Sequence, residues 1–358
     1  MPPSESVSVS AVVVTYRQVE LTMEAIASLE AQTVPVDEIV VVDNDPENSA
    51  REPIAAAHPD VRQLHADNVG YASACNLGAA RATGDWLLFL NPDAAAAPDC
   101  LERLLETATA NPRAGIVTPQ VLMADGATVN AGENRIHLTG ITWCGRLGEP
   151  PETGPARPAF VTTGAAMLVR HDLYRRLDGY CDEFFLYYED PDICWRAWIA
   201  GDEVWFVPRA HVRHHYTWGE SKAKWFHLER NRLLSVLTNY EASTLVVLAP
   251  LLAVTEAVLA AVASREGWGE EKRRAWASVW RMRGWIRRRR RTLAALRRRG
   301  DAELIDRFQA TVDTPQIASD VARRAGPLLR AYRALAVALV RRRGPRRVRP
   351  GGGAGGPS

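Results

Sequence analysis

The chain has 358 residues, 47% of them hydrophobic, which is enough for one large domain or one domain with an appendage. Its five cysteines are scattered and never form Cys-x-x-Cys, which argues against a disulfide framework or a zinc site and for reduced thiols in a cytosolic protein. The net charge of +2 hides an asymmetry: about 25 of the 44 Lys and Arg lie after Ser264, against about 8 of the 42 Asp and Glu. Such a split predicts an acidic body followed by a basic region, either solvated or facing an anionic partner.

No signal-peptide order precedes the first strand, and a cytoplasmic location is expected. Val7–Thr15 is β-branched and predicts a buried strand. A helix is expected over Val19–Gln32, a strand over Glu38–Val42, a helix near Ile54–Ala57 and a strand over Val61–His65. Tyr71–Ala82 reads as helix, Trp86–Leu90 as buried strand and Pro98–Ala110 as helix. Continuous apolar strands alternating with helices predict an α/β fold, a mostly parallel sheet with helices on both faces.

After Gly115 the pattern changes. Thr118–Pro158 is expected to be irregular, Phe160–Val169 a strand broken at Gly164-Ala165-Ala166, and Leu228 onward helical. The expected organisation is a catalytic domain over 1–227, a helical Arg-rich region over 228–343 and a disordered Gly/Pro/Arg-rich tail over 344–358. Leu245–Ala263 approaches the ~20 apolar residues of a membrane span. Glu256 near its middle, costing ~2.5–3.5 kcal/mol in a bilayer, favours a buried or interfacial helix instead. With the arginines of 281–299 nearby, contact with an anionic membrane is one expectation; Leu228–Ala263 could also serve a homo-oligomer.

In a parallel sheet, ligands bind beyond the carboxyl ends of the strands. Thr15-Tyr16-Arg17, Asp43-Asn44-Asp45, Asn68-Val69-Gly70 and Asn91-Pro92-Asp93 all fall there and outline one rim. No Gly-x-Gly-x-x-Gly follows the first strand and no Walker A motif occurs, so phosphates would need another neutraliser. A divalent cation on one or two carboxylates is the usual solution, and Asp93 is the candidate. Read alone, Asp93 is better explained as a turn aspartate after Pro92. Glu189, Asp190 and Asp192 form a second cluster beside Phe184–Tyr188. Crowding and desolvation would raise a carboxylate's pKa there and suit it to take a proton. The same residues also fit a helix start, with Asp190 as N-cap and Pro191 at the first position. His211, His214 and His215 form a third cluster, close enough in type to supply a metal ligand. Tyr216 and Trp218 could stack on a sugar or cap the core.

In order, Val12-Val13-Val14-Thr15-Tyr16, Val41-Val42-Asp43-Asn44, Asn68-Val69-Gly70-Tyr71-Ala72 with Asn76, Gly84-Asp85, Phe89-Leu90-Asn91-Pro92-Asp93, Thr163-Gly164-Ala165, Phe184-Phe185 with Glu189-Asp190-Pro191-Asp192, and Pro208 with His214 resemble the family 2 glycosyltransferases of the GT-A fold. The nearest subgroup in pattern is the bacterial rhamnosyltransferase-like enzymes, over about Val7 to Tyr240.

The resemblance implies an inverting hexosyltransferase using a nucleotide-sugar, dTDP-rhamnose first, and Mg²⁺ or Mn²⁺. It implies that Thr15, Tyr16, Asp43, Asn68, Gly70 and Asn91 bind the nucleotide and that Asp93 and His214 hold the metal. Asp190 would be the general base, with Glu189, Asp192, Gly164 and Ala165 on the acceptor side. The acceptor would be a lipid-linked saccharide or cell-surface glycan at the inner face of the membrane, with small natural products an alternative. Two departures stand out: Arg17 replaces the family's frequent Asn, and Asn91 replaces the first acid of its Asp-x-Asp signature. A nucleotidyltransferase would need a Gly-rich basic loop after the first strand, which Val12–Leu21 lacks. A non-catalytic nucleotide-sugar-binding or tethering protein would not need the acids of Glu189–Asp192. No nucleic-acid partner is expected, since it would leave the strand-end acids unexplained.

Overall fold

The structure, a computed structural model, describes residues 7–215, 222–313 and 320–343. The tail expected over 344–358, and Tyr216 and Trp218, lie outside the described residues.

Strand β1 (Val9–Thr15) is buried along its whole length. Its valines have little χ1 freedom to lose and fill a surface covered on both sides. Then come α1 (Val19–Glu30), β2 (Glu38–Asp43), α2 (Arg51–Ala57), β3 (Arg62–His65), α3 (Tyr71–Ala79) and β4 (Trp86–Leu90). Next are β5 (Ala94–Ala96) and α4 (Cys100–Ala110). β1 pairs parallel with β2 and β4, and β2 with β3. This half of the sheet follows the expected alternation.

The second half is more ordered and less parallel than expected. The 118–158 stretch is not irregular throughout. β6 (Ala114–Met123) runs well into it, followed by β7 (Val129–Ala131), β8 (Glu133–Ile136), β9 (Thr142–Cys144) and β10 (Arg157–Ala159). Pro119 is tolerated in β6 because the partner strand is bulged there, between Val207 and His211. The strand expected over Phe160–Val169 is broken where anticipated, into β11 (Val161–Thr162) and β12 (Ala166–Arg170). After α5 (His171–Arg176) and α6 (Glu189–Ile199) comes β13 (Glu203–His214). The main sheet runs β10-β13-β6-β12-β4-β1-β2-β3 and is mixed: β12 enters antiparallel to both β4 and β6.

Ile26 and Leu29 of α1 and Leu101 and Leu104 of α4 pack on one face of the sheet. Ala72 and Cys75 of α3 and Trp195 and Trp198 of α6 pack on the other. α6 starts at Glu189, with Tyr188 as N-cap, two residues earlier than the sequence suggests. Pro191 is therefore its third residue, a position whose N–H has no intrahelical partner to lose.

The C-terminal helices are α7 (Ala223–Asn239), α8 (Ala242–Arg265), α9 (Gly269–Arg281), α10 (Arg283–Leu296), α11 (Asp301–Leu304) and α12 (Asp320–Arg343). They share the core of the sheet layer: the Trp195 ring lies 4.6 Å from Tyr240 and 5.0 Å from Phe308. Several arginines of the basic stretch are consumed in this attachment rather than left for a partner. Arg289 reaches Asp192 at 2.7 Å, Arg290 caps the Tyr240 carbonyl at 2.9 Å and Arg299 caps Gly201 at 3.0 Å. Arg281, Arg283, Arg287, Arg288 and Arg291 stay exposed.

α8 departs from the buried alternative expected for it. Only 11% of its most apolar window is buried, at a mean hydropathy of 2.4. Its Glu256 turns inward, to Lys272 at 2.8 Å and to Arg232.

Asp192 is fully buried and also holds Arg196 at 2.7 Å, with Ser235 and Asn239 donating at 3.0 Å. Removing one partner of a buried ion pair strands the other charge. Arg289→Ala is expected to cost about 3–5 kcal/mol in chemical denaturation, whereas Arg288→Ala, on the exposed face of the same helix, should stay within about 0.5 kcal/mol.

Candidate active site

Parallel register brings the polar strand ends together. Thr15 lies beside Asp43, Asp43 beside His65, and Leu90 beside Val13. Strand order reverses between β1 and β4, which opens a crevice at that end of the sheet. Two later strands complete the rim. The turn into β12 carries Ala165, whose carbonyl accepts from Asn91 N at 2.9 Å. β13 ends at His214, paired with Ala94 in β5, so the histidine meets Asp93.

The result is a cleft of about 650 Å³. One wall carries Tyr16, Asn44, Asn68, Gly70 and Tyr71; another carries Asn91, Asp93 and His214; a third carries Thr163, Gly164, Ala165, Glu189 and Asp190. Of the site residues the resemblance assigns, Thr15, Asp43 and Asp192 do not line the cleft, and of the histidine cluster His211 and His215 do not, His215 lying 3.8 Å from Glu24. Thr15 is buried and accepts from the Thr22 hydroxyl at 2.7 Å. Asp43 accepts backbone N–H bonds from Asp45 at 3.0 Å and Ala50 at 2.8 Å, and so shapes the loop beside the cleft. Asp192 serves the ion cluster described above.

Arg17 has a structural role. It bonds Asp45 and Glu47, each at 3.1 Å, and ties the loop after β1 to the loop after β2. Tyr16 is half-exposed under its guanidinium, 5.4 Å from the ring centroid.

His214 Nε2 lies 3.0 Å from Asp93 Oδ1, and His214 Nδ1 lies 3.0 Å from Asn130 Oδ1. The amide oxygen only accepts, so Nδ1 carries the proton and Nε2 faces the carboxylate. Asn91 Oδ1 accepts from the Tyr71 hydroxyl at 2.9 Å, which fixes the amide at the rim. Asn130 and Tyr71 were missed as site residues. Tyr71 stands inside the Asn68–Ala72 motif and could have been singled out. Asn130 lies in the stretch expected to be irregular and carries no sequence signal.

The acid cluster is built by a strained loop. Phe185, Tyr187 and Tyr188 have φ of 61°, 68° and 76°, each costing roughly 1–2 kcal/mol for a side-chain-bearing residue. Asn231 Nδ2 of α7 offsets this by reaching the carbonyls of Phe184, Leu186 and Tyr187 at 3.0, 3.0 and 2.7 Å. Gly70, at φ +91°, lies against Phe185, where a Cβ would come within 2.6 Å of the ring. Asp190 Oδ2 accepts from Gly164 N at 2.8 Å, and a Cβ on Gly164 would crowd Asp190 Cβ at 3.0 Å.

Three acids in four residues have opposite electrostatics. Burial would raise Asp192, but the guanidiniums of Arg289 and Arg196 outweigh it and hold the carboxyl below the usual range. Burial raises Asp190, opposed in part by the Gly164 N–H. Burial and the charge of Asp190 raise Glu189 further, and its Oε2 is buried without a hydrogen-bond partner.

A mixed sheet with helices on both faces and a cleft at the strand ends is the arrangement of a GT-A-like fold. The model described as Glycosyl transferase family 2 matches residues 10–178. This match and the rhamnosyltransferase relatives support a family 2, rhamnosyltransferase-like hexosyltransferase. It is 27% identical over 233 residues to the N-acetylglucosaminyl-diphospho-decaprenol L-rhamnosyltransferase of Mycobacterium tuberculosis, covering 57% of this chain and 75% of that protein. It is 36% identical over 124 residues to the succinoglycan biosynthesis protein ExoM of Rhizobium meliloti, covering 33% and 40%. The crystal structure of GalNAc-T7 with UDP, GalNAc and Mn²⁺ shares the fold at a TM-score of 0.57 and 17% identity, over 69% of this chain and 51% of that one.

Taken as a general base, Asp190 would have to be ionised to act, and its carboxyl is raised by burial. The transfer rate should therefore climb with pH along a limb lying above the ~4 of an ordinary carboxylate. A pH–rate profile with its acid limb at or below that value would remove Asp190 from the role.

Proposed function

We propose that the enzyme moves a hexosyl group, rhamnose first, from a nucleoside-diphosphate donor such as dTDP-rhamnose to a hydroxyl of a lipid-linked saccharide, with inversion. The observation that carries this reading is the cleft itself, with Asp93 and His214 on one wall and Asp190 on another. The likeness to a rhamnosyltransferase whose name specifies a diphospho-decaprenol-linked sugar supports the donor and the lipid-linked acceptor. On this reading the reaction occurs at the cytoplasmic side of the membrane.

Asp93 and His214 fit a divalent ion. Their facing Oδ1 and Nε2 are 3.0 Å apart. Two neighbouring ligands of an octahedral ion, each bound at about 2.1 Å, stand about that far apart. The Asn130 amide oxygen accepts from Nδ1, a tautomer that turns the Nε2 lone pair toward the Asp93 side, where it could ligate an ion. Two protein ligands suit Mg²⁺ or Mn²⁺, which share their remaining positions with phosphate oxygens and water. The ion would supply positive charge to the departing diphosphate, and within the Asn91-Pro92-Asp93 motif only Asp93 could hold it with a negative charge, because Asn91 is neutral.

The remaining roles fall to the chain's own groups. Asn68, Gly70, Tyr16 and Asn91 line the nucleotide side, and the loop braced by Asp43 borders it. Asp190, oriented by Gly164 N, takes the proton of the acceptor hydroxyl. The acceptor oxygen forms its bond to the anomeric carbon as the bond from that carbon to the diphosphate oxygen breaks, and the nucleoside diphosphate leaves. Glu189, kept protonated by burial and by Asp190, presents a hydrogen-bond donor to a sugar oxygen. Gly164 and Ala165 leave room for the acceptor.

A donor panel assayed for nucleoside-diphosphate release tests this. Release should favour dTDP-rhamnose and stop with EDTA, returning with Mg²⁺ or Mn²⁺. Asp93→Ala should abolish it. Asp190→Asn should bind donor as tightly as the parent by calorimetry yet transfer at least about 10²-fold more slowly. Wild-type transfer by that variant would refute the base assignment. Asn130→Ala should weaken metal activation about 10–100-fold, read from the metal titration.

A further inference from the structure

We infer that α8 and α12 form a platform on which the enzyme lies flat against a bilayer containing anionic lipid. Between Glu241 and Arg265 the chain carries one charged residue, Glu256. That residue is drawn inward: Lys272 Nζ lies 2.8 Å away, Trp276 Nε1 donates at 2.6 Å, and Arg232 pairs with it from α7. The outward side is left without charge. Val246, Pro250, Ala253, Val254, Ala257 and Val258 recur at helical spacing and are all exposed, Val246 by 66% and Val254 by 62%.

α12 repeats the arrangement. Ala336, Val337 and Val340 enter the same core as Leu248 and Leu251 of α8. The Tyr332 hydroxyl donates to the Val247 carbonyl at 2.7 Å, joining the helices. Its opposite side presents Leu328, Ala331, Ala334, Leu335 and Ala338, with Leu328 73% exposed. A single exposed apolar side chain means nothing. Two adjoining helices with apolar stripes on their outer sides make a surface that water does not favour.

Charge selects the occupant. Exposed Arg330 and Arg342 on α12 border the stripes, together with Arg341, which also pairs with Asp306, and Arg265 at the end of α8, which also pairs with Glu266 at 3.4 Å; Trp280 of the adjoining α9 is 71% exposed. A second copy docked by the same face would bring two arginine borders together. Anionic headgroups would neutralise one border while the acyl boundary takes the valines and leucines. α8 would lie in the plane of the bilayer rather than cross it. Its Glu256 cluster and its packing on α9 and α12 hold it to the body, and a span would carry that charge into hydrocarbon.

The test is flotation of the full chain with phosphatidylcholine vesicles, with and without roughly 30% phosphatidylglycerol. The parent should float with the anionic vesicles and release in high salt. Val254→Glu with Val258→Glu, and separately Leu328→Glu with Leu335→Glu, should each reduce the bound fraction about tenfold or more. Both pairs are exposed and outside the cleft, so donor turnover in solution should be unchanged and serves as the folding control. Unreduced binding by both double variants, or equal binding to neutral vesicles, would overturn the inference. So would a concentration-dependent dimer in light scattering that fails to float and that Val254→Glu dissociates, since the face would then belong to a second copy.

Discussion

The buried carboxylate of Asp192 is the constraint on which much of the arrangement depends. It sits in α6 and receives Arg196 from the same helix, Ser235 and Asn239 from α7, and Arg289 from α10. A buried charge with fewer partners would be costly, so these helices are held to one another. Two residues earlier on α6, Asp190 faces the cleft. The charge compensation around Asp192 thus orients the helix whose first turn bears the proposed base.

The same stretch shows how environment separates chemically identical groups. Asp192 is surrounded by guanidiniums and stays ionised. Asp190 is met only by backbone N–H groups, Gly164 foremost, and Glu189 has an oxygen with no partner, so desolvation dominates both. Structural and chemical acids differ by which way each side chain leaves the helix. The positive-φ residues before Glu189 set that direction, and Asn231 holds the loop they form.

The C-terminal region combines attachment with exposure. Part of its arginine content is turned inward to cap carbonyls and balance Asp192, which accounts for charge that otherwise looks available to a partner. The apolar content is divided in the opposite sense: α8 turns its glutamate inward and exposes Val246, Val254 and Val258. Net charge and mean hydropathy describe the region correctly and assign its faces wrongly.

The alternation of apolar runs and helices determined the α/β class, because burial on both sheet faces requires such runs whatever their neighbours. Polar residues at strand ends determined the rim, because a parallel strand delivers its carboxyl end to the ligand side. Asn68, Gly70, Asn91, Asp93, Glu189, Asp190 and His214 were legible on that basis or from the family pattern. Only the tertiary structure could decide that Asp43 and Thr15 brace the cleft from behind, that Asp192 is an anchor, or that Asn130 orients His214. The Asn130–His214 and Arg289–Asp192 contacts join residues 84 and 97 positions apart, which no local spacing encodes. Thr15 and Asp43 turn away from the cleft through short-range bonds whose direction only the folded backbone sets. The antiparallel entry of β12 was hidden for the same reason: a buried strand has the same composition in either direction, and its neighbours alone choose which way it runs.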